Sequence, residues 1–252
     1  MPSDNSELSE KSEIEHFNKT ASNYDQNYGY HNAFTQYKIS KKIAEFIKFV
    51  NSTQGKFSGL KILDLGCGTG EYTQHIAREL PDCQITGLDI SEGMVDEARQ
   101  KSKQLTNVQF VVQSAYQTEF GSGEFDVVCG FYILHHLDLE KSQAEIHRIL
   151  KPSGSAFFYE PNILNPYVYA VKSIPSLKVK AGDSPDEWAI NPLTIKKIFY
   201  KFKTSYALSE FILPLGFIPY KLIVFMDNLF SFFGKIPLVK YFGGSVQILL
   251  QK

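Results

Sequence analysis

A glycine-rich turn follows the first strongly apolar run of the chain. Residues 62–70 read Ile-Leu-Asp-Leu-Gly-Cys-Gly-Thr-Gly, which predicts a buried strand running into a tight turn that opens a helix. Gly66, Gly68 and Gly70 let the backbone approach a ligand that a Cβ atom would exclude. Their spacing is one residue shorter than the G-x-G-x-x-G of dinucleotide-binding proteins. A glycine turn alone predicts a ligand site without identifying the ligand.

Two carboxylates accompany this turn. Asp89 ends the next predicted strand, where a carboxylate accepts hydrogen bonds from both hydroxyls of a ribose. Residues 90–92 contain no Arg or Lys to pair with a 2′-phosphate, which disfavours NADP. Asp64 lies inside the turn motif, where its charge repels a pyrophosphate and attracts an ammonium or sulfonium group. The two acids favour a cationic ligand that contains a ribose.

A histidine pair follows the fourth predicted strand, at the edge where parallel strands end. His135 or His136 could accept a proton from a hydroxyl group, or both could simply hydrogen-bond the loop. Glu160 and Asn162, after the fifth strand, are equally open between a ligand contact and an ordinary strand end. Adjacent histidines do not readily chelate one ion, so no metal is predicted.

Short apolar runs alternate with helical stretches through the middle of the chain. This alternation is typical of parallel strands joined by right-handed crossovers, and it predicts a doubly wound α/β sheet. The predicted strands are Lys61–Leu65, Gln84–Asp89, Val108–Val112, Phe125–Cys129 and Ser155–Glu160, with further apolar runs at Ala207–Leu215 and Ser245–Leu250. The predicted helices between the strands are Glu71–Leu80, Ser91–Lys103 and Leu139–Leu150.

Composition and charge disfavour several classes of protein for this chain. Lys and Arg number 26 against 27 Asp and Glu, so no overall basic field attracts nucleic acid, which is not expected as a partner. The chain is 43% hydrophobic, enough for a real core. The start of the chain shows neither a secretory signal nor a membrane anchor, and the 3 cysteines lack the paired spacing of thiolate metal sites. A cytoplasmic location is therefore predicted.

The motif Asp64-x-Gly66-x-Gly68-x-Gly70, together with Asp89 and the strand Phe-Asp-Val-Val at 125–128, resembles the class I S-adenosylmethionine-dependent methyltransferases. The resemblance extends from about Phe17 to Lys252. It implies a Rossmann-like sheet of seven strands, mostly parallel with an antiparallel last strand, and helices on both faces. It also implies S-adenosyl-L-methionine as the cofactor and S-adenosyl-L-homocysteine as the product.

The resemblance also assigns contacts in the cofactor site. Asp64 is expected to face the methionine amino group, directly or through water, while Asp89 holds the ribose hydroxyls. Ser114 stands where the family often carries an aspartate that binds the adenine amino group. The residues assigned to the cofactor are Tyr24, Asp64, Gly66, Cys67, Gly68, Gly70, Asp89, Ile90, Met94, Ser114, Ala115 and Phe131.

The implied activity is methyl transfer to the oxygen or nitrogen of a small metabolite, sugar or lipid precursor, by in-line displacement. An aminopropyl transferase-like enzyme and a non-catalytic protein that binds the same cofactor are the alternatives. The predicted organisation is a disordered tail at 1–13 and a single domain at 14–252, with a helical lid at 14–58 and acceptor-side insertions at 161–190 and 219–244.

Aromatic residues make up 14% of the chain and crowd its last quarter. The segment 220–235 is too interrupted by Lys and Asp to span a bilayer. Three interpretations stay open for it: core packing against the sheet, the lining of an apolar acceptor pocket, or peripheral contact with a membrane surface. The oligomeric state is left open.

Overall fold

A computed structural model describes residues 4–181, 183, 187–210, 220–230, 232, 236 and 238–252. Its strands form one sheet in the order β3-β2-β1-β4-β5-β7-β6. The strands are β1 (Lys61–Leu65), β2 (Gln84–Asp89), β3 (Val108–Val112), β4 (Phe125–Phe131), β5 (Leu150–Pro161), β6 (Lys203–Ser209) and β7 (Ser245–Gln251). The first five pair in parallel, and β7 lies antiparallel between β5 and β6. The predicted seven-stranded, doubly wound sheet is confirmed.

Helices cover both faces of this sheet and precede it in the chain. They are α1 (Asp4–Thr20), α2 (Tyr24–Asn27), α3 (Ala33–Gln54), α4 (Glu71–Glu79), α5 (Glu92–Lys101), α6 (Leu139–Ile149), α7 (Pro166–Ser173), α8 (Pro175–Ala181), α9 (Ile195–Ile198) and α10 (Tyr220–Phe230). Several begin at side chains that satisfy free backbone N–H groups. The Ser91 hydroxyl accepts from Met94 N at the start of α5, and Asn165 caps α7 just before its first proline.

Two apolar layers hold the sheet. On one face, Phe46 and Val50 of α3 are fully buried against Phe157 and Ile62 of the sheet. The opposite face packs against α6 and α9 through residues such as Ile146. The apolar residues of α3, at helical spacing, therefore cover one face of the sheet.

Two predicted segments differ in the structure. β6 is an edge strand at Lys203–Ser209, which begins earlier than the predicted apolar run. Exposed residues alternate along it with partly buried ones, so it has no continuous apolar run, and it ends at Glu210, whose φ is 62°. Residues 211–219, the rest of that run, lie outside the described residues. The predicted disordered tail at 1–13 is helical from Asp4 onward, and α1 docks beside the carboxyl edge of the sheet.

Candidate active site

An open cavity lies where β1, β2 and β4 end. The turn after β1, the tip of β2 and the segment after β4 form its walls, and α1 and α2 close one side. The site residues predicted from the sequence that line it are Tyr24, Gly66, Cys67, Gly68, Asp89, Ile90, Met94, Ala115, Phe131 and His136. The predicted residues outside its lining are Asp64, Gly70, Ser114 and His135. Whether the lining residues contact a cofactor stays a prediction.

The glycine turn is built to leave space. Gly66 has a φ of 71°, and a Cβ atom on it would lie 2.4 Å from the Ile133 side chain, so only glycine fits there. Gly68 has a φ of 51°, and a Cβ atom placed there would meet nothing within 4 Å. The backbone at Gly68 therefore faces open space in the cavity. Hydrogen bonds from Gly66 N and Cys67 N to Leu88 O hold the turn against β2.

Asp89 is fixed at the tip of β2 by backbone donors. Its Oδ2 accepts a hydrogen bond from Gly68 N at 2.8 Å, and its Oδ1 accepts one from Ser91 N at 3.0 Å. Burial raises the pKa of Asp89, although these backbone hydrogen bonds oppose the shift. Each carboxylate oxygen keeps a further lone pair for a ligand hydroxyl, so the orientation suits a ribose.

Asp64 lies behind the glycine turn rather than in the cavity wall. Its Oδ2 accepts a hydrogen bond from the Thr73 hydroxyl at 2.5 Å, which ties β1 to α4. Burial raises the pKa of Asp64 to about 7. Gly70 likewise has a structural position: it caps α4 with a φ of 76°, and a Cβ atom there would lie 2.9 Å from Ala98. The described contacts of both residues are thus internal to the protein.

The first helix brings two carboxylates to the cavity. Glu10 of α1 lines the cavity and accepts a hydrogen bond at 2.5 Å from the hydroxyl of Ser114, which is outside the lining. Glu13 lies with its Oε2 atom 3.2 Å from His136 Nδ1. Phe17 packs edge-on against the same imidazole. Sequence reasoning missed both acids, although Glu10, Glu13 and Phe17 have the three- and four-residue spacing of one helix face.

His135 is enclosed by carboxylates. Its Nδ1 lies 2.6 Å from Glu160 Oε2, and its Nε2 lies 3.1 Å from Glu187 Oε1. Burial alone would lower the pKa of His135, but the hydrogen bonds and charges of Glu160 and Glu187 outweigh burial and raise it to about 9. Glu160 also accepts backbone hydrogen bonds from Ile133 and Leu134. His135 is therefore a protonated anchor for the loop after β4, and Glu160 serves the protein rather than a ligand.

His136 points into the cavity. Beside Glu13 at its Nδ1 atom, it has Glu187 Oε2 3.8 Å from its Nε2 atom. Glu187 therefore stands beside both histidines. Burial would raise the pKa of Glu187, but His135, His136 and Lys172 hold it well below its usual range. Glu187 carries no sequence signal, because it reaches the pair only through the fold.

Ligand atoms of His135, His136 and Glu187 lie within 4.8 Å of one another, a set that could hold a metal ion. The ammonium group of Lys172 already forms an ion pair with Glu187 and lies 2.8 Å from Asp183 Oδ2. A positive charge is thus built into this cluster by the chain itself. This set could not be recognised from the sequence because Glu187 is remote from the histidines along the chain.

The ion pairs of His135 with Glu160 and Glu187 predict that the folded protein loses stability at high pH. The folded-state pKa of about 9 exceeds the ordinary 6.5, so the stabilisation is complete below pH 6.5 and is lost as the pH rises through 9. The difference is worth roughly 3 kcal/mol. Denaturant unfolding at increasing pH should show this fall in wild type and a smaller one in His135→Gln, which cannot be protonated. Parallel pH curves for the two proteins would contradict the assignment.

Tyr132 adds backbone strain next to the site. Its φ is 63°, a left-handed conformation that a tyrosine rarely adopts, and its N–H donates to Tyr159 O at 2.8 Å. Its ring lies 5.2 Å from Lys42 Nζ and forms part of the cavity wall. Strained residues of this kind cluster at functional sites.

Part of the chain that forms this site matches a known protein family. Residues 62–154, from β1 into β5, match the family described as "Methyltransferase domain". This part of the chain is thus similar to methyltransferase domains. Its turn after β1 and the tip of β2 both fall inside the matched segment, so the resemblance to class I S-adenosylmethionine-dependent methyltransferases is confirmed.

Curated relatives of this chain carry a more specific name. The chain is 34% identical to a demethylmenaquinone methyltransferase of Staphylococcus carnosus over 155 residues, which is 60% of this chain and 62% of that protein. It is 34% identical to one of Staphylococcus epidermidis over 150 residues, 59% of each protein. The matched regions thus span about three fifths of the curated relatives.

Solved structures share the fold. An S-adenosylmethionine-dependent methyltransferase from Archaeoglobus fulgidus is 18% identical, with a TM-score of 0.61 over 91% of this chain and 98% of that one. A phosphoethanolamine N-methyltransferase from Haemonchus contortus, solved with S-adenosyl-L-methionine, is 19% identical, with a TM-score of 0.58 over 83% of this chain and 52% of that one. At these identities the likeness supports the fold alone.

Proposed function

We propose that this chain transfers the methyl group of S-adenosyl-L-methionine to a small-molecule acceptor. The observation that carries the proposal is the cavity formed by the open backbone at Gly68 and the carboxylate of Asp89, which suits the ribose of the donor. Ile90 and Met94 lie in the wall beside Asp89, where the adenine would pack. Tyr24 and Tyr30, from the proposed lid at 14–58, would close over the donor.

The charge of the cavity supports a cationic donor. Among the described residues of its lining, the charged groups are Glu10, Glu13, Glu71 and Asp89, with no Lys or Arg. Burial would raise the pKa of Glu71, but hydrogen bonds from His75 and Gln36 and the charge of Lys101 lower it to about 2. Such a wall attracts the sulfonium and ammonium groups of the donor and repels a pyrophosphate.

The cavity also has a wall that suits an apolar acceptor. Much of the remaining wall is aromatic, and Tyr72 stacks on Phe131 with ring centroids 4.2 Å apart. We infer that the acceptor has an apolar or ring-shaped part, which also fits the relatives named demethylmenaquinone methyltransferase. A quinol-like ring, whose hydroxyl group can accept the methyl group, is the specific candidate within the broader class of O- or N-methylated metabolites.

His136 is the proposed base. In the reaction an acceptor oxygen forms a bond to the methyl carbon, the bond from sulfur to methyl breaks, and its electron pair stays on sulfur. The hydroxyl proton would pass to His136, and the neighbouring carboxylates of Glu13 and Glu187 would stabilise the imidazolium. His135 is already protonated and lies outside the cavity lining, so it would position the loop rather than accept the proton.

A methyl-transfer screen tests this proposal. Purified protein, labelled S-adenosyl-L-methionine and a panel of quinols, phenols and amines should yield S-adenosyl-L-homocysteine and one methylated product, found by mass spectrometry. The same turnover is expected with a metal chelator, because Lys172 supplies the positive charge at the histidine cluster. Donor binding without any methylated product would favour a non-catalytic protein. Activity only with the decarboxylated donor would favour an aminopropyl transferase.

The proposed setting is the cytoplasm, and no nucleic acid is proposed as a partner. Cys67, Cys83 and Cys129 are free and buried, as expected in a reducing compartment.

A further inference from the structure

Helix α10 has its polarity reversed relative to an ordinary surface helix. Leu222, Phe225 and Leu229 share one face and are 48%, 64% and 57% exposed. The acid of the helix, Asp227, instead faces α3, where it pairs with Lys41 at 2.5 Å and accepts a hydrogen bond from the Tyr37 hydroxyl. A helix on the surface of a globular protein normally turns its apolar face inward and its charges outward. This exposed face is therefore not core.

Exposed apolar side chains continue beyond α10. The Asn165 side chain donates a hydrogen bond to Phe242 O, which brings the start of α7 to the 3₁₀ turn at Val239–Phe242. Together with the exposed face of α10 we call this set the apolar surface; its further members are Tyr167, Tyr169, Leu177, Val179, Phe232, Leu238 and Phe242, each at least 38% exposed. Concentrations of exposed apolar residues of this kind mark contact sites.

Four lysines lie in or beside the segments of the apolar surface. They are Lys178, Lys180, Lys221 and Lys240, whereas Lys172 is buried and pairs with Glu187. Among the described residues of these segments, the acid is Asp227, which is turned inward to Lys41. The whole chain has a net charge of -1, so this basic bias is local. Lysines beside exposed aromatic rings are typical of proteins that lie at a bilayer interface.

We propose that the apolar surface docks on an anionic lipid bilayer. Its aromatic and aliphatic side chains would enter the interface, and the flanking lysines would lie at the headgroups. Among the described residues, no helix is long and apolar enough to cross a membrane. The contact is accordingly peripheral and reversible, and it is weakened by salt.

A groove lies between this surface and the proposed active site. It runs between α1, α2 and the end of α8, and its walls include Tyr28, Val179 and Lys180. Tyr24 lines both this groove and the cavity beside Asp89. An acceptor dissolved in the bilayer would reach the cavity along this groove. That route rests on the proposed function, whereas docking on lipid does not.

Vesicle flotation tests the docking. Wild type should float with vesicles of equal parts phosphatidylcholine and phosphatidylglycerol, less with phosphatidylcholine alone, and less in high salt. Phe225→Ser with Leu229→Ser should weaken flotation at least about tenfold, because two apolar anchors are lost. Tyr200→Ser is the matched control, since Tyr200 is 65% exposed but lies outside the apolar surface; it should float like wild type.

Far-UV circular dichroism and donor binding establish that the variants are folded, which separates loss of docking from loss of the proposed function. Absence of flotation by wild type would overturn the proposal, as would equal flotation of the double variant. A dimer in light scattering that the double variant abolishes, with no vesicle binding, would assign the surface to a second copy of the chain and overturn the proposal too.

Discussion

Replacement of Asp89 by alanine is expected to weaken binding of S-adenosyl-L-methionine by at least about 100-fold. Two hydrogen bonds to the ribose hydroxyls would be lost, and hydrogen bonds to a charged group contribute ~1.5–3 kcal/mol each. The same change removes the partners of Gly68 N and Ser91 N, so the glycine turn would also lose its orientation. Isothermal titration calorimetry measures the effect.

Asp96→Ala is the control for this prediction. Asp96 carries the same charge and lies in α5, the helix that follows β2. Unlike Asp89, it is exposed and pairs with Arg99 on the surface of that helix. Its removal should leave donor affinity unchanged within about twofold, since exposed ion pairs contribute ~0–1 kcal/mol. Equal affinities in wild type, Asp89→Ala and Asp96→Ala would show that the donor does not use the tip of β2.

Replacement of His136 by alanine is expected to lower kcat by ~10²–10⁴-fold, the usual contribution of a general base. Donor affinity should change little, because Asp89 keeps its backbone partners Gly68 N and Ser91 N in this variant. Steady-state turnover with the acceptor found by screening, together with donor calorimetry, separates the two effects. Glu13→Gln should lower kcat less than His136→Ala and shift the pH profile, because Glu13 acts through the imidazole.

His31→Ala serves as the control, since His31 is an exposed histidine outside the cavity lining. It should turn over like wild type. If His136→Ala kept full turnover, the acceptor would need no base at this position, and His136 would be part of the wall only.

The parts of this molecule that the sequence predicts are those encoded over short stretches. The glycine turn and Asp89 each follow a buried strand directly, so the strand rule places both at the carboxyl edge of the sheet. The strands themselves stand out because buried parallel strands are continuous apolar runs. β6 lacks this signal, since it lies at the sheet edge with one side in solvent, and its position is displaced in the prediction.

The remaining features depend on contacts between distant parts of the chain. Glu187 reaches His135 and His136 only after the segment that follows β5 folds back over the sheet edge. Glu13 lies on α1, whose polar sequence resembles that of a disordered tail. The partners of its carboxylates, such as His136, come from distant parts of the chain. Asp64 shows the converse: its motif predicts a ligand contact, while its nearest described partner is Thr73. A motif identifies the residue type at a site but not the direction of its side chain.

The central claim is that the cavity beside Gly68 and Asp89 binds S-adenosyl-L-methionine, and calorimetric titration of the wild-type protein with this donor tests it most directly. The account predicts a single saturable site of micromolar affinity, competed by S-adenosyl-L-homocysteine and lost in Asp89→Ala. No heat and no thermal shift with either compound, in a protein shown to be folded, would contradict it.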